Sequence, residues 1–220
     1  MHGSLPTELL LNAYRDGIFP MAEDADDPNF AFFQPVMRAQ VPIQDLHISR
    51  SLRKALKQRP YRVTMDQAFE DIIDGCALKR DKHEGTWINI PIRDFFVQLH
   101  KEGHAHSIEC WDKDGSLAGG LYGLAIGAVF CGESMVSFQT NASKIALVHL
   151  CALLWKNDYS VLDSQFINPH MEQFGTYEIP QEDYEALIKI EMKKERRLET
   201  ADFDALLKDY LVNVKVAVPR

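Results

Sequence analysis

The sequence predicts an α/β (α+β) fold, and three observations carry that reading. Ala128 to Gln165 reads as strand, helix, strand, with an apolar run to Ser137, a long apolar helix over Ala142 to Lys156, and Val161-Leu162 opening the next strand. Such a unit joins parallel strands by a crossover. Upstream, Ala105–Trp111 alternates at period two into Asp112-Lys-Asp-Gly115, a hairpin turn, and two further strands follow at about 117–125 and 128–137. Helical stretches with start and stop signals flank these strands on both sides.

In order, a helix runs from Thr7 to Asp16 and stops at Gly17, followed by Phe19-Pro20-Met21 and an irregular acidic stretch, Glu23 to Asp27. Phe30 to Pro42 is apolar and broken by prolines, hence strand or loop. Ser49 N-caps a basic helix that reaches Gln58 and is stopped by Pro60. Tyr61–Met65 alternates as a short strand, and Asp66 is expected to cap a helix from Gln67 to about Leu78. The charged loop Lys79 to Gly85 is the expected domain boundary, dividing residues 1–80, which hold the basic helix, from 86–220. Pro91 suits the first turn of a helix reaching His100, with Gly103 as its stop. Asn141 is expected to cap the crossover helix, so its Asn-Ala-Ser sequon reads as a cap. Toward the C-terminus, Glu182–Lys193 and Ala201–Leu211 read as helices and Val212–Val218 as an edge strand.

Composition narrows the function. The 220 residues carry a net charge of −8, which argues against a protein that coats nucleic acid. A local exception lies between Leu46 and Met65, where Arg50, Arg53, Lys54, Lys57, Arg59 and Arg62 occur without an acid. Four scattered cysteines without a CxxC pair, and no signal-peptide pattern, lead to the expectation of reduced thiols in the cytoplasm. Gly115 to Gly132 holds no charge and approaches the length of a membrane span, yet six glycines interrupt it. Two buried strands meeting near Gly127 fit it better than a transmembrane helix.

If the crossover strands are neighbours, Glu133 and Met135 at the end of one share a sheet edge with Asp163 and Gln165 at the end of the other. The start of the Asn141 helix lies there too, and ligands of open α/β sheets settle at such an edge. Glu133 and Asp163 suit acid–base chemistry, though either also reads as a structural carboxylate. Asp163 and Gln165 are two apart and share a face of a regular strand. The Gln165 amide could then donate to Asp163 and offer its carbonyl oxygen to an incoming amine. Ser134 in Gly132-Glu-Ser-Met-Val136, with His149 or His170 and Asp163, outlines a serine hydrolase but lacks the second glycine of a nucleophile elbow. His100, His104 and His106 straddle a helix end and a strand without an evident fourth ligand, a poor metal set. Phe30, Phe32, Phe33, Trp87, Phe95, Phe96 and Phe138 read singly as core; together with Met135 they could line a pocket for an apolar side chain.

The chain resembles the leucyl/phenylalanyl-tRNA–protein transferases over roughly residues 5 to 180. The resemblance rests on Leu11-Asn-Ala-Tyr-Arg-Asp-Gly-Ile-Phe-Pro20, Leu46-His-Ile-Ser-Arg-Ser51, Tyr61-Arg-Val-Thr-Met65 and Gly85-Thr-Trp-Ile88. Leu99 to Glu109, Gly119-Gly-Leu-Tyr-Gly123, Phe130 to Ser137, Asn141-Ala-Ser-Lys144 and Asp163-Ser-Gln165 continue it. It implies a small N-terminal domain followed by an acetyltransferase-like (GNAT-like) mixed-sheet domain, and an enzyme that moves leucine or phenylalanine from aminoacyl-tRNA to the N-terminal Arg or Lys of acceptor proteins, marking them for degradation. No metal or organic cofactor is implied. By the resemblance, Asp163 orients Gln165, Gln165 positions the attacking amine and Glu133 adds a polar contact. Trp87, Met135, Phe96 and Phe33 belong to the aminoacyl pocket, and Arg50, Lys54 and Lys57 hold tRNA.

The chain departs from the family pattern in places. Phe32-Phe33 stand where tryptophans are usual, Phe96 where a tyrosine is, and Ser164 where a cysteine is; Gln173-Phe-Gly-Thr176 and Gln181 also differ, and about 190–220 is unaccounted for. The altered aromatics motivate one alternative, a tRNA-binding protein that has lost transfer; the serine hydrolase is the other. Coenzyme A-dependent acetyl transfer lacks its pyrophosphate loop before the Asn141 helix.

Overall fold

The computed structural model describes residues 6–78, 86–199 and 202–214. In chain order the elements are α1 (Thr7–Arg15), β1 (Phe19–Met21), β2 (Ala31–Phe33), β3 (Met37–Gln40), α2 (Arg50–Gln58), β4 (Arg62–Met65), α3 (Phe69–Ala77) and α4 (Ile90–Lys101). Then follow β5 (Ala105–Trp111), β6 (Leu117–Ile126), β7 (Val129–Ser137), α5 (Ala142–Lys156), β8 (Val161–Gln165), α6 (Pro169–Glu172), β9 (Tyr177–Pro180), α7 (Gln181–Glu191) and α8 (Phe203–Asn213).

Seven strands form one mixed sheet in the order β4-β5-β6-β7-β8-β3-β9, and β1 and β2 form a separate antiparallel pair. Only β7 and β8 run parallel, and α5 crosses between them as the sequence predicts. Strand alternation sends side chains to two cores. On one face Ile108, Leu121, Phe130 and Leu162 pack under α5, with Leu52 and Leu56 of α2 and Leu206, Leu207 and Tyr210 of α8. On the other, Tyr122, Leu124, Cys131 and Val161 meet α1, α3, α4 and α7 through Tyr14, Ile72, Phe96 and Tyr184.

Strands from both sides of the expected boundary share this sheet, since β3 pairs with β8 and β4 with β5. The boundary loop, 79–85, lies outside the described residues. The uncharged stretch Gly115–Gly132 becomes β6 and the start of β7, turning at Gly127, whose φ of 59° suits a residue without a side chain. Among the described residues no helix is long and apolar enough to cross a membrane.

Two expected caps are made differently. Asp66 sits at φ 60° ahead of α3, and its carboxylate accepts from the Ser107 N–H (2.9 Å) and contacts His106 Nδ1 (2.7 Å). Glu109 of β5 instead takes the Gln67 N–H (3.2 Å) and Ala68 N–H (3.4 Å) that open α3. Asn141 does precede α5, but in a left-handed conformation with no side-chain cap bond; Ser137 Oγ accepts the Ser143 N–H at 2.9 Å in its place. Both substitutions arise because tertiary neighbours supply acceptors that local spacing cannot reveal. Of the expected edge strand Val212–Val218, residues 212 and 213 continue α8, and 215–218 lie outside the described residues.

Candidate active site

The parallel pair β7–β8 brings Glu133 and Gln165 together, and each strand slips register at that point. On β7, Tyr122 partners Ser134 while Gly123 partners Gly132, which leaves Glu133 as an extra residue with no cross-strand partner. Such an insertion re-aims a side chain and inverts the alternation beyond it. Met135 therefore joins Leu121 on the α5 face, whereas Val136 turns to the opposite core. On β8, Gln40 partners Asp163 and Ala39 partners Gln165, so Ser164 is skipped. Gln165 itself lies at φ 55°, a conformation that costs a non-glycine residue on the order of 1 kcal/mol or more and persists only when its surroundings hold it.

Asp163 helps to hold it, beside the Phe166 N–H to Ser164 carbonyl bond (2.6 Å) that spans Gln165. The Gln165 backbone N–H donates to Asp163 Oδ1 at 3.1 Å, and the Gln165 side-chain amide donates to Glu133 Oε1 at 3.3 Å. The sequence expectation that the side-chain amide reaches Asp163 is thus revised: the strand is not regular there, and the backbone makes that bond. Asp163 is fully buried and receives a two-pronged ion pair from the equally buried Arg38, Nε to Oδ1 at 2.8 Å and NH2 to Oδ2 at 2.7 Å. Tyr184 Oη donates to Oδ2 at 3.3 Å and Gln40 Nε2 to Oδ1 at 3.4 Å. The guanidinium lies between the rings of Phe19 and Tyr184, 4.7 and 4.4 Å from their centroids, and also donates to the Gly17 carbonyl at 2.9 Å.

Glu133 has no such cation in contact. Burial, with the Asp163 charge adding to it, pushes its pKa up to about 8, while Tyr14 and Arg38 work in the other direction. The buried Tyr14 hydroxyl meets no partner at good hydrogen-bond geometry but lies within electrostatic reach of Glu133. The site therefore holds two carboxylates in unlike settings, Asp163 forked to the Arg38 guanidinium and Glu133 with its pKa raised by burial.

These groups border a cavity of about 440 Å³. Its wall includes Glu133, Ser134, Met135 and Asp163, with Trp87, Leu121, Tyr122, Leu147, Leu150 and Met171 giving it an apolar body. Trp87 and Met135 both line this cavity. Phe96 does not line it; it is fully buried behind Tyr122, ring to ring at 5.3 Å. Phe33 lies outside as well, 40% exposed on β2 opposite Phe19. Ser134 lines the cavity, as does His170. His149 Nδ1 is engaged with the Ile145 carbonyl (2.8 Å) and Asp163 with Arg38, so these two do not join Ser134 in a triad.

The basic helix α2 buries Leu52 and Leu56 and leaves Arg50, Lys54 and Lys57 exposed on one face, at spacings of four and three. It packs on α5, the helix that supplies Ser143, Leu147 and Leu150 to the cavity. Arg59 and Arg62 are diverted, the first to Asp204 (2.9 Å) and the second onto the Trp111 ring (5.6 Å). His100 and His106 both face Asp66, with His100 stacked on Phe69.

Sequence reasoning missed Arg38, Tyr14 and Tyr184. Tyr14 falls inside a motif block that was otherwise unassigned. Arg38 lies in the proline-broken segment, where a lone arginine among apolar residues was the available signal. Tyr184 gave none.

Comparison with known proteins bears on the site. The family model described as leucyl/phenylalanyl-tRNA protein transferase matches residues 40–189, and that of the family's N-terminal domain matches 3–35. A leucyl/phenylalanyl-tRNA–protein transferase of Novosphingobium aromaticivorans is 49% identical over 185 residues, 84% of this chain and 70% of the relative. One from Hyphomonas neptunium is 47% identical over 84% of this chain and 72% of the relative. One from Maricaulis maris is 47% identical over 90% of this chain and 89% of the relative. Among solved structures, L-PGS from Bacillus licheniformis aligns over 74% of this chain and 57% of its own at 17% identity and a TM-score of 0.42. With a family model matched over residues 40–189 and relatives near half identity, the chain belongs to the leucyl/phenylalanyl-tRNA–protein transferase family.

Proposed function

We propose that this protein transfers leucine or phenylalanine from aminoacyl-tRNA to the N-terminal Arg or Lys of acceptor proteins in the cytoplasm, marking them for degradation. The observation that carries this reading is a cavity of amino-acid size with an apolar body, from Trp87 to Met135, whose wall includes Glu133, the residue that accepts the Gln165 side-chain amide. The aminoacyl side chain occupies that body, with Phe96 acting through Tyr122 and Phe33 standing at the outer surface. Arg50, Lys54 and Lys57 bind tRNA phosphates, which positions the substrate without reading its sequence.

The acceptor's α-amino nitrogen attacks the ester carbonyl carbon; the carbon–oxygen bond to the ribose then breaks as the peptide bond completes. An α-amine with a pKa of about 7.7–8.0 keeps a useful neutral fraction near pH 7, and the ester is already activated, so orientation contributes much of the rate. Gln165 offers its carbonyl oxygen to the amine while its N–H group stays on Glu133. Glu133 accepts the proton that the amine loses and passes it to the departing ribose oxygen or to water. Asp163 has a purely orienting part.

Radiolabelled Leu-tRNA or Phe-tRNA, incubated with peptides beginning Arg, Lys, Asp or Ala, should label only the Arg and Lys peptides, and Gln165→Ala should lower the rate by about 100-fold. No transfer from either tRNA by folded protein contradicts the reading.

The rate has a signed pH dependence. Glu133 must lose its proton to act, and its pKa is raised to about 8, so activity rises with pH through that value. With acceptor limiting, amine and Glu133 titrate together and log(kcat/KM) climbs with a slope of about two below both pKa values; Glu133→Gln should leave a slope of about one and a rate lower by about 10²–10⁴. A slope of one in the unaltered protein rules out Glu133 as the base.

Replacing Arg50, Lys54 and Lys57 together by alanine should weaken tRNA binding and reduce the slope of log affinity against log salt by about 2 to 3, roughly 0.7–0.9 per lost phosphate contact. Filter binding across a salt series reads this directly, and an unchanged slope removes α2 from the interface.

A further inference from the structure

Arg38 is an unusual group to find at the centre of an otherwise apolar core. It has no exposed surface, and each part of its guanidinium is used: two N–H groups on Asp163, one on the Gly17 carbonyl, and both planar faces covered by Phe19 and Tyr184. Lysine could neutralise Asp163 but could not fill this flat, forked slot. The partner of that fork is the carboxylate that holds the Gln165 backbone N–H, and Gln165 is the residue in the left-handed conformation.

We propose that Arg38 is a positioning residue for the transfer reaction: by fixing both oxygens of Asp163 in one plane, it sets the backbone of Gln165 and so aims the carboxamide that receives the amine. This rests on the reaction described above. Arg38 touches neither substrate nor reacting atoms; it works through two hydrogen-bonded links, Arg38 to Asp163 and Asp163 to the Gln165 N–H. A free carboxylate in the same place could rotate, which would leave only the Phe166 N–H to Ser164 carbonyl bond (2.6 Å) and the pairing with Ala39 to restrain the Gln165 backbone.

The arrangement also has an electrostatic arm. The groups acting on Glu133 come from each neighbouring element: Tyr14 of α1, Arg38 of β3, Tyr122 of β6, Cys131 of β7 and Asp163 of β8. Asp163 raises the Glu133 pKa and Arg38 lowers it. Loss of the Arg38 charge removes the cation that lowers the Glu133 pKa, so Glu133 ionises at higher pH. Retention of charge without the fork leaves the Glu133 titration in place.

Arg38→Lys and Arg38→Met separate these arms, measured as steady-state transfer of labelled leucine from Leu-tRNA to an Arg-initiated peptide over a pH range. Transfer by the unaltered protein is recorded first, so that failure of the reaction itself is told apart from failure of this role. In Arg38→Lys, kcat should fall about 10- to 100-fold with the KM for Leu-tRNA within about threefold and the acid limb unmoved. In Arg38→Met, kcat should fall at least as far and the acid limb should move to higher pH against the same acceptor. Circular dichroism establishes that each variant is folded. If Arg38→Met does not fold, Arg38→Lys decides alone: a kcat equal to that of the unaltered protein overturns the proposal. Folded variants of both kinds with unchanged kcat and pH profile make Arg38 a core-packing residue only.

Discussion

The buried Arg38–Asp163 ion pair is the constraint around which the site is arranged. Removing one partner of such a pair strands a charge in the core and costs about 3–5 kcal/mol, a large share of the stability of a typical domain. Here the pair ties together three parts of the chain distant in sequence. Arg38 belongs to β3 in the first part of the chain, Asp163 lies near the end of the crossover unit at the edge of the cavity, and Tyr184 comes from α7. Because β3 is inserted between β8 and β9, the guanidinium enters the sheet beside the strand whose end it controls.

A division of labour between the two carboxylates follows from where each lies. Asp163 is saturated with donors and cannot serve as a mobile acid or base. Glu133 lies on an inserted residue of β7, bonded to the Gln165 amide and faced by buried hydroxyls, where burial favours its neutral form. Register slips at Glu133 and Ser164 allow side chains of two parallel strands to meet at a point that regular alternation would keep apart. Beyond the slip, Met135 faces the cavity, so one inserted residue both frees the acid and lines the pocket.

Much of this was legible from the residues. The crossover Val129 to Gln165, the hairpin at Asp112–Gly115 and the Ser49-capped basic helix follow from periodicity and cap chemistry, and the helices recur within a residue or two of their expected ends. The site edge was legible because strand–helix–strand topology determines which ends coincide. Hidden were the interactions that depend on distant chain segments: the Glu109 and Ser137 caps, the Arg38 fork, and the register slips. A slip leaves no mark in a sequence whose residues alternate acceptably either way. That Phe96 and Phe33 lie outside the cavity wall was hidden for a related reason, since aromatic character does not distinguish the wall of a cavity from the layer behind it. The short α6 and β9 carried too little periodicity to be seen.

The most direct measurement is a structure of the protein bound to a stable amide analogue of leucyl- or phenylalanyl-adenosine. The account predicts the aminoacyl side chain between Trp87 and Met135, with its carbonyl turned toward Gln165 and Glu133. An analogue bound at another surface, or seated in the cavity with its carbonyl directed away from those two residues, contradicts it.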